Sequence, residues 1–198
     1  MKNLYGNVLC AVDVETTGVV FGYNEVIQIA CVPLDIHMKP SKEHRFFYLN
    51  IAPTYPERQS MQAKMKHGLD AHKLAEECLS QEQAADMLDD WFTGLNLPSG
   101  KRLIPLAHNY AFERGMLSHW LGVDTFDAMW HIHPRDTFTF ATSLNDVAAW
   151  QGRTVPFPQV GLTSMCRKLG IPLDNAHDAL ADCLATAELY RNLLSLFG

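Results

Sequence analysis

Three short segments carry the side chains able to do chemistry, in a fixed order. They are Asp13-Val14-Glu15-Thr16-Thr17-Gly18, His108-Asn109-Tyr110-Ala111-Phe112-Glu113 and His177-Asp178-Ala179-Leu180-Ala181-Asp182, with an Asp136-Thr137 pair between the last two. Carboxylates this far apart in sequence meet only if folding brings them together. Once met, a group of acids with one histidine is the donor set that hard divalent cations and hydrolytic chemistry require. The pattern implies a metal-dependent hydrolase.

The elements that must position these residues can be read from apolar runs and their boundaries. Residues 7–13 form a nearly continuous apolar run ending in an acid, which predicts a buried strand with Asp13 at its exit. Glu15 follows two residues later, on the same face of extended chain, so both acids can aim at one place. Residues 25–34 and 45–51 supply two more β-rich runs, and short connections among the three suggest an antiparallel meander. Helical patterning follows near Ser60–Lys66 and again from Ser80, a plausible N-cap. Residues 103–107 read as a strand that delivers His108 and Asn109 at its tip, and residues 111–121 as the helix after it. In such α/β units sites gather at strand ends. Asp136 is expected to cap a helix starting at Thr137, and residues 151–159, with Gly152, Pro156 and Pro158, to form a loop. The last third predicts a helix over 161–169 stopped by Gly170, then one from about Asp178 to Leu196 with Ala179, Cys183, Ala187, Tyr190 and Leu194 as its apolar stripe. That puts Asp182 on a rigid helix and His177 in the loop at its mouth.

Composition narrows the function classes. The chain has 198 residues, 47% of them hydrophobic, and is expected to form a single domain over 1–198 with one sizeable core. A net charge of −6 argues against a protein that coats long nucleic acid through a basic surface, while leaving room for short-range binding in which metal ions meet the phosphate. No apolar run reaches a membrane span and no signal peptide is evident, so a cytoplasmic protein without membrane contact is expected. Cys10, Cys31, Cys78, Cys166 and Cys183 lack CxxC spacing and read as free thiols. His131 and His133 have no third ligand nearby and are not expected to hold metal.

The three segments resemble the exonuclease motifs of the DEDDh (DnaQ-like) 3′-to-5′ exonucleases, over Val8 to about Leu194. Lesser echoes are Val26-Ile27-Gln28-Ile29-Ala30, His67-Gly68-Leu69 and Asp136-Thr137. The resemblance implies a ribonuclease H-like α/β fold, a mixed sheet with its first three strands antiparallel and flanked by helices. It implies two divalent ions (Mg²⁺ or Mn²⁺) held by Asp13, Glu15, Asp182 and Glu113, with His177 as the general base. Thr16, Thr17, His108, Asn109 and Phe112 would contact the terminal nucleotide. The implied partner is a nucleic acid 3′ end, DNA favoured over RNA, cleaved to nucleoside 5′-monophosphates, with a polymerase or repair partner left open. One position departs from the family pattern: Glu113 stands where relatives carry Asp, a stem longer by about 1.5 Å. A non-catalytic nucleic-acid-binding or regulatory relative, an RNA-directed exoribonuclease and a nucleotide phosphohydrolase are therefore the alternatives.

Overall fold

The computed structural model describes residues 4–196. Five strands, β1 (Val8–Thr16), β2 (Val26–Pro33), β3 (Phe47–Asn50), β4 (Leu103–Ala107) and β5 (Arg135–Asp136), form one sheet in the order β3-β2-β1-β4-β5. β1, β2 and β3 pair antiparallel, as the run of three strand signals predicts, while β4 joins β1 and β5 joins β4 in parallel. The sheet is therefore mixed, and the C-terminal ends of β1 and β4 lie along one edge.

Both faces of the sheet are covered, which explains why its central strands read as unbroken apolar runs. Alternation along β1 sends Cys10, Val12 and Val14 to one face. There they pack with Leu88 of α3 (Gln81–Gly94), Met116 and Leu117 of α4 (Tyr110–Leu121), and Phe126 and Met129 of α5 (Val123–Met129). Leu9 and Ala11 point to the other face, against Ala179, Cys183, Ala187 and Tyr190 of α8 (Ala179–Ser195). This is the stripe expected from the sequence. The opposite side of α8 packs on α6 (Thr137–Trp150) and α7 (Leu162–Leu169) through Ala185, Leu189 and Leu193. A helix enclosed on both sides needs small residues where elements approach closely, and α8 is alanine-rich there.

Two short helices, α1 (Met61–His67) and α2 (Ala71–Glu77), fill the passage from β3 to α3. Ser60 caps α1 by accepting from Ala63 N, and Ser80 makes a full capping box with Gln83 at α3. Residues 151–161 contain no helix or strand, as the glycine and prolines there predict. All five cysteines are free, and four are buried. No helix among the described residues is long and apolar enough to cross a membrane.

One expectation is corrected. β1 does not stop at Asp13 but runs to Thr16, with Asp13 paired to Ala30 and Glu15 to Gln28. The antiparallel partner β2 supplies hydrogen bonds past the last apolar residue, so the ladder rather than the polarity of the sequence sets the strand's end.

Candidate active site

The edge formed by the ends of β1 and β4 opens into a cleft of about 510 Å³. Its floor holds Asp13 and Glu15 from β1, Glu113 from α4 and Asp182 from α8, with His177 at the mouth of α8. Asp13 and Glu15 reach it together because they alternate with Val14, which turns into the core. The ligand atoms of Glu15, His177 and Asp182 lie within 4.8 Å of one another. His108, Asn109, Phe112 and Phe138 form one wall, and Gly161 to Ser164 at the start of α7 another.

The floor is electrostatically unhappy in the way a cation site is before its cation arrives. Burial pushes the Glu15 and Glu113 carboxyls up to about 8 and Asp182 up to about 6. Asp13 is raised well above the carboxylate range by burial and then by the charges of Glu113, Asp182 and Glu15. Glu113 is buried, and its Oε2 has no hydrogen-bond partner. An all-oxygen set of crowded acids with an orphaned buried carboxylate oxygen fits a hard divalent ion, which would offset the repulsion and give that oxygen a partner. His177 is held low, first by burial and then by the positive charges of Lys66 and His67, which favours the neutral imidazole.

Backbone geometry fixes these groups. His177 adopts a left-handed φ of 70°, and its N–H points at both carboxylate oxygens of Asp182 (3.4 Å each). Asp178 caps α8 through Leu180 N and Ala181 N, and its Oδ2 accepts from Tyr48 Oη at 2.5 Å. Tyr48 in turn accepts from Gln28 Nε2, whose Oε1 accepts from Ala179 N. The helix end bearing His177 and Asp182 is thereby bolted to β2 and β3. Asn109 also sits at a left-handed φ (77°), turning the chain from β4 into α4. His108 Nδ1 contacts the Thr137 hydroxyl at 2.8 Å. Asp136 clamps two helix starts at once: it accepts from Phe138 N and Thr139 N of α6 and from Asn109 N and Tyr110 N at α4. Its capping role was legible in the sequence; its reach across to α4 was not.

Thr16 and Thr17 do not line the cleft. Thr16 Oγ1 donates to Gly18 O at 2.6 Å, and the fully buried Thr17 Oγ1 accepts from Asn24 Nδ2 and Glu25 N. These bonds hold the loop after β1. Gly18 is required in that loop, since a Cβ there would stand 2.6 Å from Asn24 Oδ1. The same loop seats Phe21 against Gly115 and, with ring centroids 6.1 Å apart, beside Phe112.

Residues 10–190 match the RNase_T family, described as Exonuclease. The chain belongs to the RNase_T exonuclease family. Exonuclease I of E. coli, solved with a dT13 oligonucleotide, superposes with a TM-score of 0.73 at 16% identity, covering 94% of this chain and 41% of its own. Exonuclease I of Methylocaldum szegediense gives 0.71 at 20% identity over 96% and 41%. The nuclease domain of 3′hExo, a DEDDh family member bound to rAMP, gives 0.68 at 18% identity over 98% and 94%. The chain thus spans about two-fifths of the exonuclease I proteins and nearly all of the 3′hExo domain. No curated protein sequence matches. The fold is the ribonuclease H-like fold of DEDDh exonucleases, a family dependent on divalent metal.

Within that family frame, the acid after Phe112 is Glu113, which lines the cleft but, like Asp13, lies outside the set of ligand atoms within 4.8 Å of one another. Lys66 of α1 also lines the cleft and went unnoticed in the sequence, where a lysine on a polar helix looks like any solvated residue. Its neighbour in the His67-Gly68-Leu69 echo was the only signal. His67 Nε2 donates to Thr16 O at 3.1 Å, fastening α1 over the end of β1.

Proposed function

We propose that this protein is a metal-dependent 3′-to-5′ exonuclease that hydrolyses terminal phosphodiester bonds of nucleic acid, single-stranded DNA favoured, to release nucleoside 5′-monophosphates. The convergence of Glu15, His177 and Asp182 within 4.8 Å, over a floor completed by Asp13 and Glu113, carries the reading. Residues 1–198 act in it as one exonuclease domain, working in the cytoplasm. Asp13, Glu15, Glu113 and Asp182 would hold two divalent ions, Mg²⁺ or Mn²⁺, which would supply Lewis-acid charge for phosphodiester hydrolysis. The length of Glu113 favours Mn²⁺, the ion less exacting about oxygen geometry.

His177 takes the proton from the attacking water. Its neutral imidazole and its place at the cleft mouth suit a general base, and its backbone N–H keeps Asp182 oriented toward the same point. Phe112 and Asn109 hold the terminal nucleotide, Phe112 by presenting a face braced by Phe21. His108 shapes the wall between them, its ring fixed by Thr137. A frayed or single-stranded end enters more easily than a paired one, because splaying a terminal nucleotide from a duplex costs unpairing energy.

The deciding experiment incubates purified protein with 5′-labelled DNA and RNA oligonucleotides in Mg²⁺, Mn²⁺ or chelator. A descending ladder in metal only, faster on single strands and absent with Asp13→Ala, is expected. Shortening in chelator, or full activity of Asp13→Ala, overturns the proposal; binding without shortening supports the non-catalytic relative.

A further inference from the structure

Among the side chains that line the cleft, Lys66 is the sole lysine or arginine. It lines the same cleft as Asp13, Glu15, Glu113, Asp182 and His177, and its positive charge acts on all five. Yet it forms no ion pair among the described residues. Lys64, one turn-fraction away on the same helix, is by contrast locked to Asp70 at 2.5 Å. The mount is rigid: α1 is capped by Ser60, Ser60 N donates to Thr17 O, and His67 ties the helix's other end to Thr16 O.

We propose that Lys66 is a substrate-binding residue that takes a phosphate of the nucleic-acid strand at the cleft mouth. The inference rests on the exonuclease reading and adds the group that meets the backbone. The Lys66 side chain is exposed, lines the cleft and has no ion-pair partner among the described residues. Divalent cations held by the acids of the floor would draw an anion to the cleft, and the unpaired ammonium would be available to meet it. In this scheme Lys66 opposes metal binding slightly and favours strand binding, two effects of opposite sign from one charge. A lysine serves here as a point charge on a flexible stem, which suits successive phosphates passing the same place.

The test compares wild type, Lys66→Gln and Lys66→Arg in three measurements. Fluorescence anisotropy follows binding of a labelled oligothymidylate in Ca²⁺ over a salt series, and calorimetry follows Mn²⁺ binding without DNA. Turnover of the same oligonucleotide in Mn²⁺ gives KM and kcat. Losing one phosphate contact should weaken strand binding about tenfold at low salt. It should also flatten the slope of log K against log salt by about 0.7. Lys66→Gln should raise KM with kcat nearly unchanged and bind Mn²⁺ more tightly, and Lys66→Arg should restore strand binding. Unchanged affinity and salt slope in Lys66→Gln overturn the proposal, as does tighter Mn²⁺ binding alone, which would make Lys66 a screen for the acids and nothing more. If wild type itself neither binds nor shortens the strand, the exonuclease reading falls and this one with it; a wild-type ladder with no Lys66 effect removes only this one.

Discussion

Three acids near the cleft, Asp136, Asp178 and Glu113, fall into two kinds of surroundings. Asp136 accepts four backbone N–H bonds, two at each of two helix starts, and Asp178 likewise is saturated by Leu180 N, Ala181 N and Tyr48 Oη. Glu113 is buried with one oxygen unpartnered, and it shares a cleft with three other acids. A carboxylate that builds the fold is given donors. Glu113, deprived of such a donor on one oxygen, is kept toward its protonated form by burial.

The widest expected separation is in activity. Losing a partner that merely orients a ligand commonly costs 10–100-fold, so removal of a ligand itself, in Glu113→Ala, should cost more than about 100-fold in turnover. Glu113→Asp should stay active because the charge is kept. His177→Ala should lose roughly 10²–10⁴-fold while retaining strand binding. Single-turnover assays in Mg²⁺ and Mn²⁺ measure all three. A Glu113→Ala enzyme as fast as wild type would erase the distinction drawn above.

The next effect is on stability against pH in chelator. Glu15 and Glu113 have folded values of about 8 and Asp182 about 6, above their ordinary carboxyl values, so folding favours their protonated forms. Stability from this source is therefore full below about pH 4 and is lost as pH rises toward 8. Thermal melts should show Tm falling over that window, a shallower fall for Glu113→Gln, and recovery on adding Mn²⁺. A Tm that climbs steadily from pH 5 to 8 without metal would contradict it.

Saturated acids should behave in the reverse sense. Asp136→Ala removes the cap of two helices, each worth about 1 kcal/mol, and should cost about 2 kcal/mol in urea unfolding, whereas Glu113→Gln in chelator should be neutral or stabilising. The smallest effect belongs to Tyr48→Phe. It deletes the hydroxyl's bonds to Asp178 and from Gln28, the latter still donating to Asn50, at about 1 kcal/mol net, and should slow turnover several-fold by loosening the helix end that carries His177 and Asp182. Unaltered turnover would show that Gln28 alone holds that end.

What the sequence made legible follows from the same contrast. Acids placed by period, such as Asp13 and Glu15 two apart in a strand or Asp182 within the first turn of α8, could be read because alternation and helical spacing are local rules. So could the strands β1 to β4 and the start of α3. The two-residue strand β5 and the short helices α2 and α5 could not, since they owe their form to neighbours: β5 exists only because Leu106 and Ala107 pair with it. The bonds of Thr17 were hidden for the same reason, because its partners Asn24 and Glu25 come from the far side of a loop. The Gln28–Tyr48–Asp178 chain, closed by Ala179 N on Gln28, joins residues up to 151 positions apart, and no local pattern announces it.

The alternation of β1 also decides where this chain could tolerate a change in length. Leu9 and Ala11 pack under α8, Val12 and Val14 pack under α4, and Asp13 and Glu15 emerge on the side of the first pair. One residue inserted or deleted between Leu9 and Asp13 would exchange the two faces, sending both acids into hydrocarbon and two valines into the cleft. Length variants that keep function should therefore be confined to the connections, above all residues 34–46 and 151–161, and be missing from this strand.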